Sequence, residues 1–142
     1  MLKGLDPLLG PALLAVLRGM GHGDEIVVAD ANFPASSTNK CVIRAEGTDA
    51  PRMVAAIVSV LPLDDFVPAA AFRMAVVDKP DDVPPVTAAF AQALAGGGYA
   101  GAIEAVERFA FYERARAAVA VIATGETRLY GNLILKKGVI RP

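Results

Sequence analysis

The chemistry that this sequence could perform centres on a single histidine. His22 is the only histidine among 142 residues, and it stands between Gly21 and Gly23 in the stretch "GHGDE". An imidazole titrates near pH ~6.5, so at neutral pH it can both give and take a proton. A histidine that merely caps the preceding helix would occupy the same place. The residues alone therefore leave a catalytic and a structural role equally open.

A carboxylate follows the histidine at the end of the next apolar run. Asp30 closes "EIVVAD", whose β-branched residues predict a short buried strand. In α/β folds, functional side chains gather where loops meet strand ends. At this position Asp30 could orient an imidazole or accept a hydroxyl proton from a ligand, and a simple turn-forming aspartate would look the same.

Two further stretches carry polar groups beside aromatic residues. In "ERFAFYERAR", interleaved groups such as Arg108 and Tyr112 could bind a nucleic-acid phosphate, which the balanced charge of the chain disfavours. One face of an amphipathic helix with Phe109, Phe111 and Tyr112 packed inward is the favoured interpretation. In "TGETRLYGNLILKKG", a tyrosine and an asparagine flank a glycine. Such a turn can present a hydroxyl and an amide to a polar ligand, or can simply precede a strand.

Several classes of function are disfavoured by composition and spacing. The formal net charge is −1, with 14 basic and 15 acidic residues, so no nucleic-acid footprint is expected. One histidine and one cysteine give no metal-ligand cluster, and the glycine spacings match neither phosphate loops nor dinucleotide fingerprints. We therefore expect neither metal nor cofactor. The longest apolar run, residues 117–123, falls far short of the ~20 residues that cross a bilayer.

The remaining totals predict one domain that associates with copies of itself. A chain of 142 residues fits a single domain over residues 1–142. Its single cysteine, Cys41, fits a reducing compartment, and we expect a cytoplasmic protein. Hydrophobic residues make up 54% of the chain and the mean hydropathy is +0.44, which is high for a small monomer. Some apolar surface should therefore meet another subunit in a homo-oligomer.

Strand and helix patterns alternate along the chain. Helical patterns cover residues 11–20 and 48–61, the second with Thr48 or Asp49 as its N-cap and Pro51 just inside. Strand patterns cover 25–30, 40–46, 70–78 and 118–125, a loop covers 31–39, a proline-rich loop and a helix cover 79–98, and a turn and strand cover 130–140. Propensity makes 99–118 one long helix. This alternation predicts an α/β domain with a largely parallel sheet flanked by helices.

Three separated motifs resemble one known family. "MGHGDEIVVADANFPA", "RFAFYERA" and "TGETRLYGNLILKKGV" occur in the order typical of the ribose pyranase/fucose mutarotase family, and the opening "MLKGLDPLL" extends the likeness. The likeness covers most of the chain and is weakest over residues 79–100. "GHGD", "NFP" and "YGN" resemble the fucose branch. The ribose branch tends to show a GHTD-like bend, a GLP-like loop and alanine where Gly131 stands here.

The resemblance implies an isomerase that interconverts the α and β anomers of L-fucose by acid–base ring opening and closure, without metal or cofactor. His22 would be catalytic. Substrate-binding residues would be Asp30, Arg108, Tyr130 and Asn132, with Tyr112 as a hydroxyl partner or a packing residue. The same machinery could instead serve D-ribose as a pyranase, interconverting its pyranose and furanose forms. A monosaccharide-binding module without catalysis is the alternative from another class.

The resemblance also implies features that the composition cannot give. Members of the family are ring-shaped oligomers, commonly decamers of two stacked pentamers, with sites near the subunit boundaries. In the family a strand precedes the "FAFYERA" helix. Residues 101–107, "GAIEAVE", are therefore expected to form a strand, which replaces the long helix that propensity predicts.

Overall fold

A computed structural model describes all 142 residues, which form five helices and a single sheet of six strands. The helices are α1 (Pro11–Gly19), α2 (Ala35–Thr38), α3 (Ala50–Val58), α4 (Val86–Gly96) and α5 (Arg108–Ala117). The strands are β1 (Glu25–Ala29), β2 (Val42–Ala45), β3 (Ala71–Met74), β4 (Ile103–Val106), β5 (Ala120–Thr124) and β6 (Leu133–Lys136). None of the helices has the length and apolar character needed to cross a membrane.

The strand order in the sheet is β2-β5-β1-β6-β3-β4. β5 runs parallel to β1 and β2, and β3 runs parallel to β4. β6 lies antiparallel between β1 and β3. Five strands therefore point one way and β6 points the other, which confirms the predicted α/β domain with a largely parallel sheet. The reversal also places the start of β6 at the same edge as the carboxyl ends of the other strands.

Each face of the sheet is covered by its own hydrophobic cluster. Leu133 and Leu135 of β6 belong to the cluster that α1, α3 and α4 complete, whereas Ile134 belongs to the cluster beneath α2 and α5. Successive side chains of a strand point to opposite faces, so an apolar run such as "LIL" can serve both clusters. The central strands are buried on both sides, and the polar groups of interest lie at the strand ends.

The segment before α5 shows where propensity fails. The long helix predicted over residues 99–118 is wrong. Residues 103–106 form β4, the outermost strand of the sheet, which pairs with β3, as the family resemblance implied. Glu107 then caps α5, because its carboxylate accepts hydrogen bonds from the amides of Phe109 and Ala110, at 2.8 and 3.1 Å. Pairing with β3 outweighs the weak helical preference of an alanine-rich segment.

Two smaller expectations also need correction. The loop predicted over residues 31–39 contains one helical turn, α2. On α5, Phe111 is fully buried, but Phe109 is 63% exposed instead of packing inward. Positions two apart on a helix lie about 200° apart around its axis, so both rings cannot face the same core.

Candidate functional site

The bend that carries His22 is fixed to the end of β6. Gly23 has a φ of +85°, a left-handed conformation that favours glycine. Its amide donates to the Lys137 carbonyl at 2.8 Å, and the Lys137 amide donates to the Asp24 carbonyl at 2.9 Å. The side chain of His22 remains 46% exposed. The backbone of the bend is therefore anchored to the end of β6, and the imidazole remains partly exposed to solvent.

A buried carboxylate holds this imidazole. Nε2 of His22 lies 3.1 Å from Oδ1 of Asp64, whose side chain is only 4% exposed. The same oxygen accepts the Phe66 amide at 3.1 Å, and the Asp64 amide donates to the Lys136 carbonyl at 3.1 Å. The ring of Phe66 packs against the imidazole, with centroids 5.3 Å apart. His22 is therefore both hydrogen-bonded and packed in one orientation.

The charge state of Asp64 determines which imidazole nitrogen is available. Burial raises the pKa of Asp64, but the Phe66 amide and the His22 imidazole lower it by more, so the pKa lies below its ordinary value. An ionised carboxylate can only accept hydrogen bonds. Nε2 must therefore carry a hydrogen towards Asp64, which leaves Nδ1 free to exchange a proton with a ligand.

Sequence reasoning missed Asp64. The residue lies 42 positions from His22, and the "LPLDD" stretch has no motif that marks it as a partner. The one local signal is that Asp64 directly follows an apolar run, and the structure shows that Asp64 is buried.

Beside the His22–Asp64 pair opens a cleft of about 540 Å³. Its lining is mostly apolar: Leu5, Leu14, Leu17, Arg18, His22, Val60, Leu61, Pro62, Lys137, Gly138, Val139 and Ile140.

The second group of predicted site residues lies around Asp30. The Asp30 amide donates to Oδ1 of Asn132 at 2.8 Å, and Nδ2 of Asn132 donates to Oδ2 of Asp30 at 3.0 Å. Both residues are buried, and the Asn32 amide donates to the other carboxylate oxygen at 2.9 Å. Burial raises the pKa of Asp30, although these hydrogen bonds oppose the rise. A ligand hydroxyl that donates a hydrogen bond to this carboxylate would offset part of the free-energy cost of burying it.

Tyr130 lies next to this pair in a strained turn. Its φ is +59°, which is uncommon for a residue other than glycine. Its hydroxyl accepts the Val77 amide at 3.2 Å, so the hydroxyl hydrogen stays free to donate. The turn is braced by Glu126, whose carboxylate binds the Arg128 guanidinium at 2.8 and 2.7 Å. The side-chain hydrogen bond from Arg128 lowers the pKa of Glu126 to about 2.

Gly131 is required by close approach of the surrounding chain. A Cβ at this position would lie 2.5 Å from Cγ of Glu126 and 3.0 Å from the Arg128 carbonyl oxygen. We expect Gly131→Ala to lower the free energy of unfolding by roughly 1–3 kcal/mol, because such contacts force side chains and backbone to shift. Chemical denaturation measures this difference. Gly47→Ala, at a site with open space around the Cβ, is the control, and equal losses in both variants would contradict the expectation.

Arg108 and Tyr112 lie on the first turns of α5. Because α5 starts after the carboxyl end of β4, Arg108 lies at the same edge of the sheet as Asp30. The Tyr112 ring packs against Phe33, with centroids 5.6 Å apart, and the Phe33 amide donates to the Asp30 carbonyl at 3.2 Å. Tyr112 is half-buried, which fits packing as well as contact with a ligand.

The two groups lie at opposite edges of the sheet. His22 precedes β1 and Asp30 follows it, and five extended residues at about 3.3 Å each span roughly 16 Å. Asp30, Arg108, Tyr130 and Asn132 share the carboxyl edge, while His22 and Asp64 are at the other. Within one chain Asp30 does not orient the imidazole, a role that Asp64 fills, and the six predicted site residues do not form one pocket.

Similarity to known proteins extends over the whole chain. The model of the RbsD / FucU transport protein family matches residues 3–140. A fucose mutarotase of Danio rerio is 50% identical over 100% of this chain and 96% of its own length. The structure of the Streptococcus pneumoniae fucose mutarotase in complex with L-fucose matches 99% of this chain and 100% of that chain, with a TM-score of 0.91 and 42% identity. Bacillus subtilis RbsD complexed with D-ribose, matched over 99% and 100%, has a TM-score of 0.74 and 25% identity.

Proposed function

The chain belongs to the RbsD / FucU transport protein family, and we propose that it is a fucose mutarotase, an isomerase that interconverts the α and β anomers of L-fucose. The observation that carries the chemistry is the one imidazole held by a buried carboxylate, with Nδ1 free. The full-length similarity to fucose mutarotases supports the substrate. The lower identity to the ribose-bound relative favours L-fucose over D-ribose.

Mutarotation requires two proton transfers. A base takes the proton of the anomeric hydroxyl, the ring oxygen receives a proton, and the bond between the anomeric carbon and the ring oxygen breaks to give the open-chain aldehyde. Rotation about the bond to the aldehyde carbon and reclosure on the other face reverse these transfers. Nδ1 of His22 can take and return the proton, while the Asp64 carboxylate stabilises the imidazolium that forms in between.

The sugar is held by the group at the carboxyl edge of the sheet. The Asp30 carboxylate accepts sugar hydroxyls, and the free hydrogen of the Tyr130 hydroxyl is donated to a sugar oxygen. Asn132 fixes Asp30 through their paired hydrogen bonds, and the Arg108 guanidinium adds donors from the start of α5. Tyr112 sits one turn further along α5. These roles fix the sugar ring at an edge that lacks an imidazole within the same chain.

A second copy of the chain supplies the missing imidazole. We place the working site between neighbouring subunits, where the His22–Asp64 pair of one faces the Asp30 group of the next. Exposed apolar side chains around the histidine support this arrangement, since Phe66 is 63% and Ile140 83% exposed. The assembly proposed is a decamer of two stacked pentameric rings, which is what the resemblance to the family implies; repeated head-to-tail contacts between subunits are compatible with it, because such contacts can close into a ring. The free thiol of Cys41 supports a cytoplasmic location.

Removing the charge of Asp64 tests its role in proton transfer. Asp64→Asn keeps an oxygen that can accept from Nε2 but removes the negative charge that stabilises the imidazolium. We expect kcat for anomer exchange to fall roughly 10-fold or more, because a hydrogen bond to a charged group contributes about 1.5–3 kcal/mol. Steady-state exchange rates with L-fucose measure the loss. The control is Glu113→Gln, at a site 74% exposed, and an equal effect there would contradict the role.

Exchange NMR on equilibrated sugars tests the activity itself. The protein should accelerate exchange between the α and β anomers of L-fucose above the spontaneous rate. D-Ribose is measured in parallel, and acceleration confined to its pyranose and furanose forms would replace the proposal by a ribose pyranase. Line broadening that reports binding, without faster exchange of either sugar, would leave a monosaccharide-binding module.

A further inference from the structure

We infer that the C-terminal residues 138–142 position the imidazole of His22, through contacts of Arg141 with Asp65 and Phe66. The inference rests on the proposed function, because it concerns the orientation of the group that moves the proton. Arg141 makes its hydrogen bonds and ion pair with Asp65, not with the imidazole or with the sugar-binding group. It is a positioning residue that acts through the loop after α3.

The C-terminal segment is first anchored to that loop by its backbone. The Gly138 amide donates to the Pro62 carbonyl at 2.8 Å. A Cβ on Gly138 would lie 2.4 Å from the Leu63 carbonyl oxygen, so no larger residue fits there without a shift. Leu63 and Lys137 also form an antiparallel bridge. The end of the chain therefore runs directly beside residues 62–64, the last of which is Asp64.

Arg141 then holds the next two residues of the loop. Its guanidinium binds Asp65 in a two-pronged contact: Nη1 donates to Oδ2, and Nη2 donates to Oδ1 at 3.0 Å. The carbon at the centre of the guanidinium lies 5.0 Å from the centroid of the Phe66 ring. The side-chain hydrogen bond from Arg141 holds the pKa of Asp65 below its ordinary value, so the pair stays charged at neutral pH. A planar guanidinium can make both contacts at once, whereas a lysine ammonium cannot.

Phe66 connects this contact to the imidazole in two ways. Its ring packs on the His22 ring at 5.3 Å between centroids, with the planes tilted by 52°. Its amide donates to Oδ1 of Asp64, the same oxygen that binds Nε2 of His22. When Arg141 fixes Phe66 and Asp65, it therefore fixes both the ring that packs on the imidazole and the loop that carries its carboxylate.

The expected consequence is local order, not overall stability. Asp65 and Arg141 are 54% and 59% exposed, and exposed ion pairs contribute little to the free energy of unfolding. Within one subunit Phe66 is 63% exposed, so without Arg141 few contacts from its own chain would restrict its rotamers. The test must therefore measure the orientation of the imidazole and kcat, which a change in surface charge elsewhere would leave unaltered.

The single histidine makes this test direct, because every imidazole resonance in the spectrum belongs to His22. Arg141→Gln and Asp65→Asn each remove the charged, two-pronged contact, and Arg116→Gln, in the exposed Arg116–Glu113 pair, is the matched control. We expect both test variants to shift the imidazole resonances and to lower kcat for L-fucose exchange by roughly 3- to 10-fold with KM unchanged. A displacement of a catalytic group by 1 Å can lower the rate about 10²-fold, and a looser orientation of the imidazole should lower kcat by less. The kcat of Arg141→Lys should fall between those of the wild type and Arg141→Gln.

The opposite charges of the two residues separate positioning from electrostatics. Arg141→Gln removes a positive charge near His22, and Asp65→Asn removes a negative one. If the two variants change kcat in opposite directions, the pair acts through its field and the inference is wrong. Resonances and kcat that match those of Arg116→Gln would also overturn it. Failure of the wild type to accelerate exchange would instead refute the proposed function, and the resonances would still report whether the contact orients His22.

Discussion

His22→Ala is expected to remove nearly all catalysed exchange between the anomers of L-fucose while the protein stays folded. Positioned acid–base groups contribute about 10²–10⁴-fold to such reactions, and His22 is the only imidazole available. Its side chain is 46% exposed and contributes little to the hydrophobic clusters, so the fold should survive its loss. Exchange NMR gives kcat, after subtraction of the spontaneous rate.

Two measurements separate a chemical effect from a structural one. The thermal unfolding midpoint of His22→Ala should stay close to that of the wild type. Imidazole added to the buffer should restore part of the activity, because the side chain lies on the surface beside an open cleft. An unfolded variant would make the activity loss uninformative, and Arg141→Gln would then test the imidazole within a folded chain. Full activity in a folded His22→Ala protein would refute the proposed role of His22.

Mixed oligomers of two inactive variants are expected to regain activity. Asp30→Asn should weaken sugar binding, because a neutral amide replaces the carboxylate that accepts sugar hydroxyls. His22 and Asp30 lie at opposite edges of the sheet, so each proposed site takes one residue from each of two subunits. A subunit that carries His22→Ala keeps Asp30, and a subunit that carries Asp30→Asn keeps His22. Where the two meet in the right order, one intact site forms.

The size of the recovery is fixed by counting. If the variants assemble at random in equal amounts, about one quarter of the contacts in closed rings hold both intact residues. Co-expression followed by exchange NMR should therefore give about one quarter of wild-type activity per subunit, whereas the separate preparations stay near background. Co-expression of His22→Ala with His22→Ala/Asp30→Asn is the matched control, and it should restore nothing. No recovery in well-mixed oligomers would refute the site between subunits.

Local sequence patterns predicted most of the secondary structure, because capping and periodicity depend on residues close in the chain. The predicted cap of α3 is present, since the Asp49 side chain accepts the Arg52 amide at 2.8 Å. The apolar run before Asp30 forms β1 as expected. β4 was the largest exception. Composition predicted helix, and only the likeness to the family gave the strand, because the strand is stabilised by pairing with β3, some 30 residues earlier in the chain.

The sequence by itself determined the chemical groups of the proposed site, and the tertiary structure decided which of them meet. His22, Asp30, Arg108, Tyr130 and Asn132 could be chosen from residue type, turn context and family motifs. The partners could not. Asp64 reaches His22 across 42 positions, and Asn132 reaches Asp30 across 102. Both contacts exist because β6 runs antiparallel beside β1, which brings its start to Asp30 and its end to the bend that holds His22. That strand order results from packing of the whole sheet, and no local pattern encodes it.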